Sequence, residues 1–101
     1  MSADSNSNPL PPVQNNENRS RFEMIFDDGG SAFLSYRRTN DVLDLMHTEV
    51  PRSFEGRGVA GALARTALDY ARDHQLAVIP TCGFVAAYIQ RHPEYQTLIH
   101  R

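Results

Sequence analysis

The sequence predicts an α/β (α+β) fold: a three-stranded antiparallel meander followed by a β-α-β-α unit, joined into one mixed sheet. Three observations predict it. Two alternating runs flank Asp27-Asp28-Gly29-Gly30, a hairpin signal because glycine accepts positive φ without strain. Val59, Ala60, Leu63, Ala64, Ala67, Leu68 and Ala71 recur at helical spacing and make one apolar stripe. Beyond that stripe lies Leu76–Pro80, a short apolar run of the kind found in buried parallel strands.

Residues 1–20 are rich in Ser, Asn and Pro, and only Met1, Ala3, Leu10 and Val13 are apolar. Such a segment cannot repay the entropy of ordering, so a disordered tail is expected there and a single domain over 21–101. Arg21–Asp27 places Phe22, Met24 and Phe26 on one face, and Ser31–Arg38 is similarly strand-like. Thr39-Asn40-Asp41 forms a second turn, and a third strand runs from Val42 to about Val50, where Pro51 removes a ladder donor. The helix is expected from about Arg57 to His74, with Arg65, Asp69, Arg72 and Asp73 on its polar side. The strand after it should lie parallel to the third through a right-handed crossover. Phe84–Arg91 reads as a second helix stopped by His92-Pro93, and Glu94–His100 as a short helical turn or tail.

A chain of 101 residues suits one small domain. Its formal charge of −2 argues against a general nucleic-acid footprint. No stretch is long and apolar enough to span a bilayer, and the first residues lack the apolar core of a secretory signal, so a soluble, cytoplasmic protein is expected. All ten basic residues are arginine, suited to bidentate phosphate recognition but not to titration near neutrality. One cysteine, Cys82, excludes an internal disulfide and a multi-cysteine zinc site, and no metal is expected.

Chemistry concentrates in Leu43–Ala71, where a strand is delivered through Pro51 into a glycine-rich helix start. Free amides at a helix start favour an anion, and glycine lets backbone approach it closely, so this is a candidate phosphate cradle. Gly56-Arg57-Gly58-Val59-Ala60-Gly61 matches the dinucleotide fingerprint G-x-G-x-x-G. Context argues against that reading: Pro51–Glu55 separates strand from glycine, and Leu76–Pro80 holds no acid for a ribose.

Glu55-Gly56-Arg57-Gly58-Val59-Ala60 resembles the Q/R-x-x-G-x-G/A pyrophosphate loop of GNAT N-acetyltransferases, with Glu55 replacing the usual first residue. His47-Thr48-Glu49-Val50-Pro51, Gly56-Arg57-Gly58, Val78-Ile79-Pro80, Cys82 and Tyr88 with His92-Pro93-Glu94-Tyr95 together resemble the small, YjdJ-type GNAT-like family, which includes proteins described as N-acetyltransferase domain-containing protein 1. The resemblance covers about residues 21–99. It implies a minimal GNAT-like fold with splayed central strands and acetyl-CoA in the splay.

By that resemblance, backbone of Thr48, Glu49 and Val50 would meet the pantetheine arm, and the amides of Gly56, Arg57, Gly58, Val59, Ala60 and Gly61 the pyrophosphate. Arg57 would add charge there and Arg52 would reach the 3′-phosphate, unless both are simply solvated. His47 is the general-base candidate because imidazole titrates near neutrality, and it alternates with Leu43, Leu45 and Glu49 on one strand face. Glu49 would orient His47 or take the proton itself. The plain alternatives are a backbone-bonded histidine and an exposed carboxylate. Cys82 would contact the thioester or accept acetyl, the alternative being a small buried residue. Tyr88 would protonate the departing thiolate or pack with Val85 and Ile89, and Phe84 is core or a lid over pantetheine. Larger GNAT enzymes have more acceptor-binding structure, so the amine acceptor is expected to be small, bound in an open groove, completed by a protein partner or self-association, or absent. Two functions follow: acetyl transfer to an unidentified amine, or a non-catalytic acetyl-CoA-binding sensor or regulatory module. A bare structural domain is the third reading.

Overall fold

The computed structural model describes residues 10–100. Its five strands are β1 (Gln14–Asn16), β2 (Arg21–Ile25), β3 (Ser31–Thr39), β4 (Val42–Glu49) and β5 (Ala77–Ile79). Helix α1 (Val59–Asp73) connects β4 to β5, and α2 (Gly83–Arg91) follows β5. The sheet has strand order β1-β2-β3-β4-β5. Its first four strands pair antiparallel, and β4 and β5 pair parallel, giving the mixed α+β sheet expected.

Alternation through β2 buries Phe22 and Met24, and Phe26 just beyond it, on one face, where Ala32, Leu34 and Tyr36 of β3 and Leu43 and Leu45 of β4 join them. The β2–β3 turn closes as its residues dictate: Gly29 takes φ +88°, and the Gly30 amide donates to Asp28 Oδ1 at 2.8 Å. Helix α1 lays Val59, Leu63, Ala64, Ala67, Leu68 and Ala71 onto this apolar face. Its alanines permit that close approach, while Ala60, counted in the stripe from sequence, is only half-buried. Helix α2 adds Val85, Tyr88 and Ile89 to the same core, so both helices cover one face and leave the other open.

After Arg91 the chain makes a 3₁₀ turn over Pro93–Leu98, as the His92-Pro93 stop predicts. Tyr95 ties that turn to α1, donating its hydroxyl to Asp69 Oδ1 at 2.6 Å. Burial and that hydrogen bond push the Tyr95 pKa up to about 12. Ile99 then bridges Val78 in parallel, and the His100 amide donates to the Val78 carbonyl at 2.8 Å, capping the outer edge of β5.

One expectation is corrected. Residues 1–20 are not a uniform disordered tail, because Gln14–Asn16 adds an edge strand to β2. Apolar content alone missed the polar chemistry that holds it. The Tyr36 hydroxyl donates to Asn15 Oδ1 at 2.7 Å, Asn16 Nδ2 donates to Glu23 Oε2 at 3.0 Å, and Leu10 and Val13 pack against the core. The part of that reading over residues 1–9 lies outside the described residues.

Glu23 is the buried carboxylate beside this edge strand. Burial raises its pKa, but hydrogen bonds from Arg21 Nε (2.9 Å) and Asn16, with the Arg21 charge, outweigh that and hold it below the usual glutamate value. A carboxyl depressed on folding contributes stability present above its unfolded pKa, about 4.3, and lost as pH falls through the lower folded value. Glu23→Ala leaves Arg21 and Asn16 unpaired and is expected to cost roughly 1–3 kcal/mol at pH 7 in urea denaturation. The gap from the parent protein should narrow as pH falls below about 4; a constant gap would remove the ionised carboxylate as its cause.

Candidate functional site

The site begins with a break in strand pairing. Strands β4 and β5 run together only from Val42↔Ala77 to Asp44↔Ile79, and the Cys82 amide adds a last link to the Leu45 carbonyl at 2.9 Å. Strand β4 continues to Glu49 with no strand neighbour on that side, while the chain after β5 turns away into α2. On its other side β4 carries a bulge: Tyr36 pairs Leu45 and Ser35 pairs His47, leaving Met46 extra. A bulge bends its strand and sharpens the local twist. The central strands therefore splay, and a wedge opens between Met46–Val50 and the start of α2.

The bulge corrects the placement of His47. Alternation from Leu43 and Leu45 put His47 and Glu49 on their face, but the extra residue turns both onto the open face of the sheet. Their side chains are 63% and 65% exposed, and His47 Nε2 lies 3.3 Å from Glu49 Oε1. Thr48 instead faces the helices, paired across from the buried Leu34. The sequence trace of this is Leu45-Met46, two consecutive apolar residues that alternation alone does not explain.

Thr48 Oγ1 lies 3.3 Å from Cys82 Sγ, so these side chains meet across the wedge. Burial pushes the Cys82 thiol up, but the Thr48 hydroxyl and the amides of Val85, Phe84 and Thr48 outweigh it and hold the thiol below its ordinary value. Alkylation of Cys82 by iodoacetamide should therefore show a pH midpoint below that of a free cysteine, and Thr48→Val should raise that midpoint. An equal midpoint in both proteins would remove Thr48 as the cause.

The candidate anion cradle lies beyond Pro51. One 3₁₀ turn, Arg52–Phe54, leads to Gly56 at φ +80° and Gly58 at φ +82°, conformations that strain any residue with a Cβ. Helix α1 starts at Val59 rather than at Arg57, without a side-chain cap or an acid in its first turn. Its first amide bond runs from Ala62 to the Gly58 carbonyl, and the amides from Gly56 to Gly61 have no hydrogen-bond partner among the described residues. They are the unspent donors of the helix start, at the positive end of its dipole. Val59 offers only its amide, since its side chain is core. Arg52 and Arg57 are exposed beside them and form no ion pair among the described residues. The Arg57 guanidinium lies 5.4 Å from the Phe54 ring, and Phe54 stacks on Phe26 at 3.7 Å.

Tyr88 is buried, yet its ring edges up to the cradle: a Cβ at Gly61 would stand 3.8 Å from Tyr88 Cε2. Burial raises its pKa, Arg65 opposes that, and Asp69 and Glu94 add to it, so the phenol stays a proton donor at neutral pH. The His92 ring stacks on Tyr88 at 4.0 Å and its Nδ1 bonds the Tyr88 carbonyl at 2.9 Å, a support that the helix-stop reading of His92 missed. Phe84 is half-buried against the core, with its ring centroid 6.3 Å from that of Tyr88.

Phe33 was not visible as a site residue. It is the cross-strand partner of Glu49, lies edge-on to His47 at 6.2 Å, and is covered by the Arg21 guanidinium at 4.6 Å. Only the register brings these groups together. Among the described residues no group of three His, Cys, Asp or Glu side chains is placed to hold a metal ion, and no helix is long and apolar enough to cross a membrane.

Comparison with known proteins adds three findings. The family model described as GCN5-related N-acetyl-transferase matches residues 21–98. Protein NATD1 of Gallus gallus is 34% identical over 93 residues, spanning 88% of this chain and 84% of that protein. The Danio rerio protein of that name is 30% identical over 88 residues, 85% and 80% of the two chains, and the human one is 40% identical over 57 residues, 56% of this chain and 50% of that protein. The NMR solution structure of a GCN5-like chain from Staphylococcus aureus covers 92% of this chain and 91% of its own at a TM-score of 0.70. At 22% identity that likeness speaks for the fold.

Proposed function

We propose that this chain, which belongs to the GCN5-related N-acetyltransferase family, binds acetyl-CoA in the β4 wedge and transfers its acetyl group to an amine. The observation that carries the proposal is the alignment of two unsatisfied backbone surfaces. The splayed end of β4 offers an edge to the amides of a pantetheine arm, and the amides from Gly56 to Gly61 offer donors to a pyrophosphate. Thr48, Glu49 and Val50 line the first surface. Arg57 flanks the second, and Arg52 is the cation for a 3′-phosphate.

Acetyl-CoA supplies an activated acyl group, and the chain supplies position and proton handling. The division of side chains between the two sheet faces suits that task. His47 and Glu49 stand on the open face, where an acceptor amine approaches and loses its proton. Tyr88, kept protonated by burial, stands on the helix side, where the departing thiolate needs a proton. Cys82 lies against Thr48 and contacts the thioester; a route through an acetylated Cys82 is the variant of the same chemistry.

The wide exposure of His47 and Glu49 favours a second reading, an acetyl-CoA-binding module without turnover, because nothing on that face excludes water. One experiment separates them. Acetyl-CoA should raise the melting temperature, and an amine panel should release free CoA with His47→Ala slower by roughly 100-fold. A melting shift without release above buffer selects the binding module. No melting shift overturns both. An acetyl adduct lost only in Cys82→Ala selects the covalent route.

A further inference from the structure

We infer that the open face of the sheet holds the acceptor site, a groove that takes a small aliphatic amino acid as its zwitterion; this rests on the acetyl-transfer reading above. The groove measures about 400 Å³ and lies where β4 and β5 still pair, immediately below the vertex of the wedge. Its floor is apolar, from Val42 and Ile79, and Ile79 is one of the exposed large apolar side chains of the molecule. Its charged walls are Arg37, Asp41 and Asp44, with His100 at the far side.

Three of the walls are tied by named bonds, Asp44 through its side chain and Asp41 and His100 through backbone. Asp44 Oδ1 accepts the Thr81 hydroxyl, the Ala77 amide donates to the Asp41 carbonyl at 2.8 Å, and His100 is pinned by its amide on Val78. Arg37 and Asp44 are direct cross-strand partners, yet no ion pair within 4.0 Å joins them among the described residues. A guanidinium and a carboxylate held side by side and not spent on each other complement a ligand carrying a carboxylate and an ammonium. The apolar floor beside them, Val42 and Ile79, complements an aliphatic side chain.

Placement selects which end faces the chemistry. Asp44 occupies the last paired position before the splay, and a strand rise of about 3.3 Å per residue puts His47 roughly 10 Å further along the same face. An ammonium drawn to Asp44 therefore sits at the vertex, between that carboxylate and His47. There it gives a first proton to His47 or Glu49, its nitrogen bonds the acetyl carbon, the carbon–sulfur bond breaks, and the thiolate takes a proton from Tyr88; the second proton leaves the nitrogen to water, and water returns one to the Tyr88 phenolate. The ligand carboxylate stays on Arg37.

The test is an NMR titration of the free protein with L-leucine, 3-methylbutylamine and 4-methylpentanoate, paired with thermal shift and CoA release using acetyl-CoA. L-Leucine should move the amides of Asn40, Asp41, Val42 and Ile79 saturably, and the compounds lacking one charge should bind at least about tenfold more weakly. Arg37→Gln and Asp44→Asn should each weaken L-leucine about tenfold without changing the melting shift given by acetyl-CoA. Unmoved groove amides, or equal binding of the monocharged compounds, overturn the groove even where acetyl-CoA binds. Binding of L-leucine with no melting shift from acetyl-CoA overturns the acetyl-transfer reading, and with it the acceptor role of the groove. Binding of both without CoA release likewise overturns that role.

Discussion

Deletion of Met46 is expected to leave a folded sheet and to abolish acetyl-CoA binding. The ladder between β3 and β4 reads Tyr36↔Leu45, Ser35↔His47 and Leu34↔Thr48, so Met46 is the residue without a place in it. Removing it joins two regular segments without a change of register: Leu45 still points to the core, His47 outward and Thr48 inward. No buried apolar side chain is lost, since Met46 is 42% exposed. What goes is the bend that carries β4 away from the chain after β5. A straightened β4 closes the wedge against Cys82 and leaves no edge for the proposed pantetheine arm. Circular dichroism and urea titration should show a cooperative fold, and acetyl-CoA should no longer raise the melting temperature. Retained binding would remove the bulge as the origin of the wedge.

Gly58→Val is the second large effect. At φ +82° a side chain with a Cβ costs about 1–2 kcal/mol of backbone strain, and a β-branched one more. Nothing stands within 4 Å of the added Cβ, so the change is not a clash within the protein. The new side chain instead grows beside the amides proposed to hold the pyrophosphate and turns them out of convergence. Loss of two or three charge-assisted hydrogen bonds corresponds to an affinity for acetyl-CoA lower by roughly 100-fold. Gly61→Ala is the control. Gly61 is helical, and its Cβ would meet Tyr88 at an ordinary 3.8 Å, so stability should hold or rise by about 0.5 kcal/mol. Isothermal titration of both variants checks the pair, and equal affinities would show that the loop conformation does not matter.

Much of this arrangement was legible in the residues. The hairpin at Asp27–Gly30, the stripe of α1 and the His92-Pro93 stop stand where local chemistry put them, because turn glycines and helical periodicity act over a few residues. The face of His47 was not legible. One inserted residue inverts every side chain after it, and alternation has no local signature for an insertion beyond the doublet Leu45-Met46. Phe33 escaped for a related reason, since its contact with Glu49 exists only through register. The edge strand Gln14–Asn16 escaped because it is held by amide side chains and a tyrosine hydroxyl, which hydrophobicity does not count.

The Phe26–Phe54–Arg57 stack links the hairpin to the glycine loop. Phe26 belongs to the core, so the loop is ordered when the domain folds and not when a ligand arrives. The conformational entropy of that loop is therefore charged to folding, and the docking step is spared it. Stability of the hairpin and tightness of the proposed nucleotide end become a single linked quantity: whatever loosens Phe26 is expected to weaken that capture at a distance, through disorder in the unliganded protein.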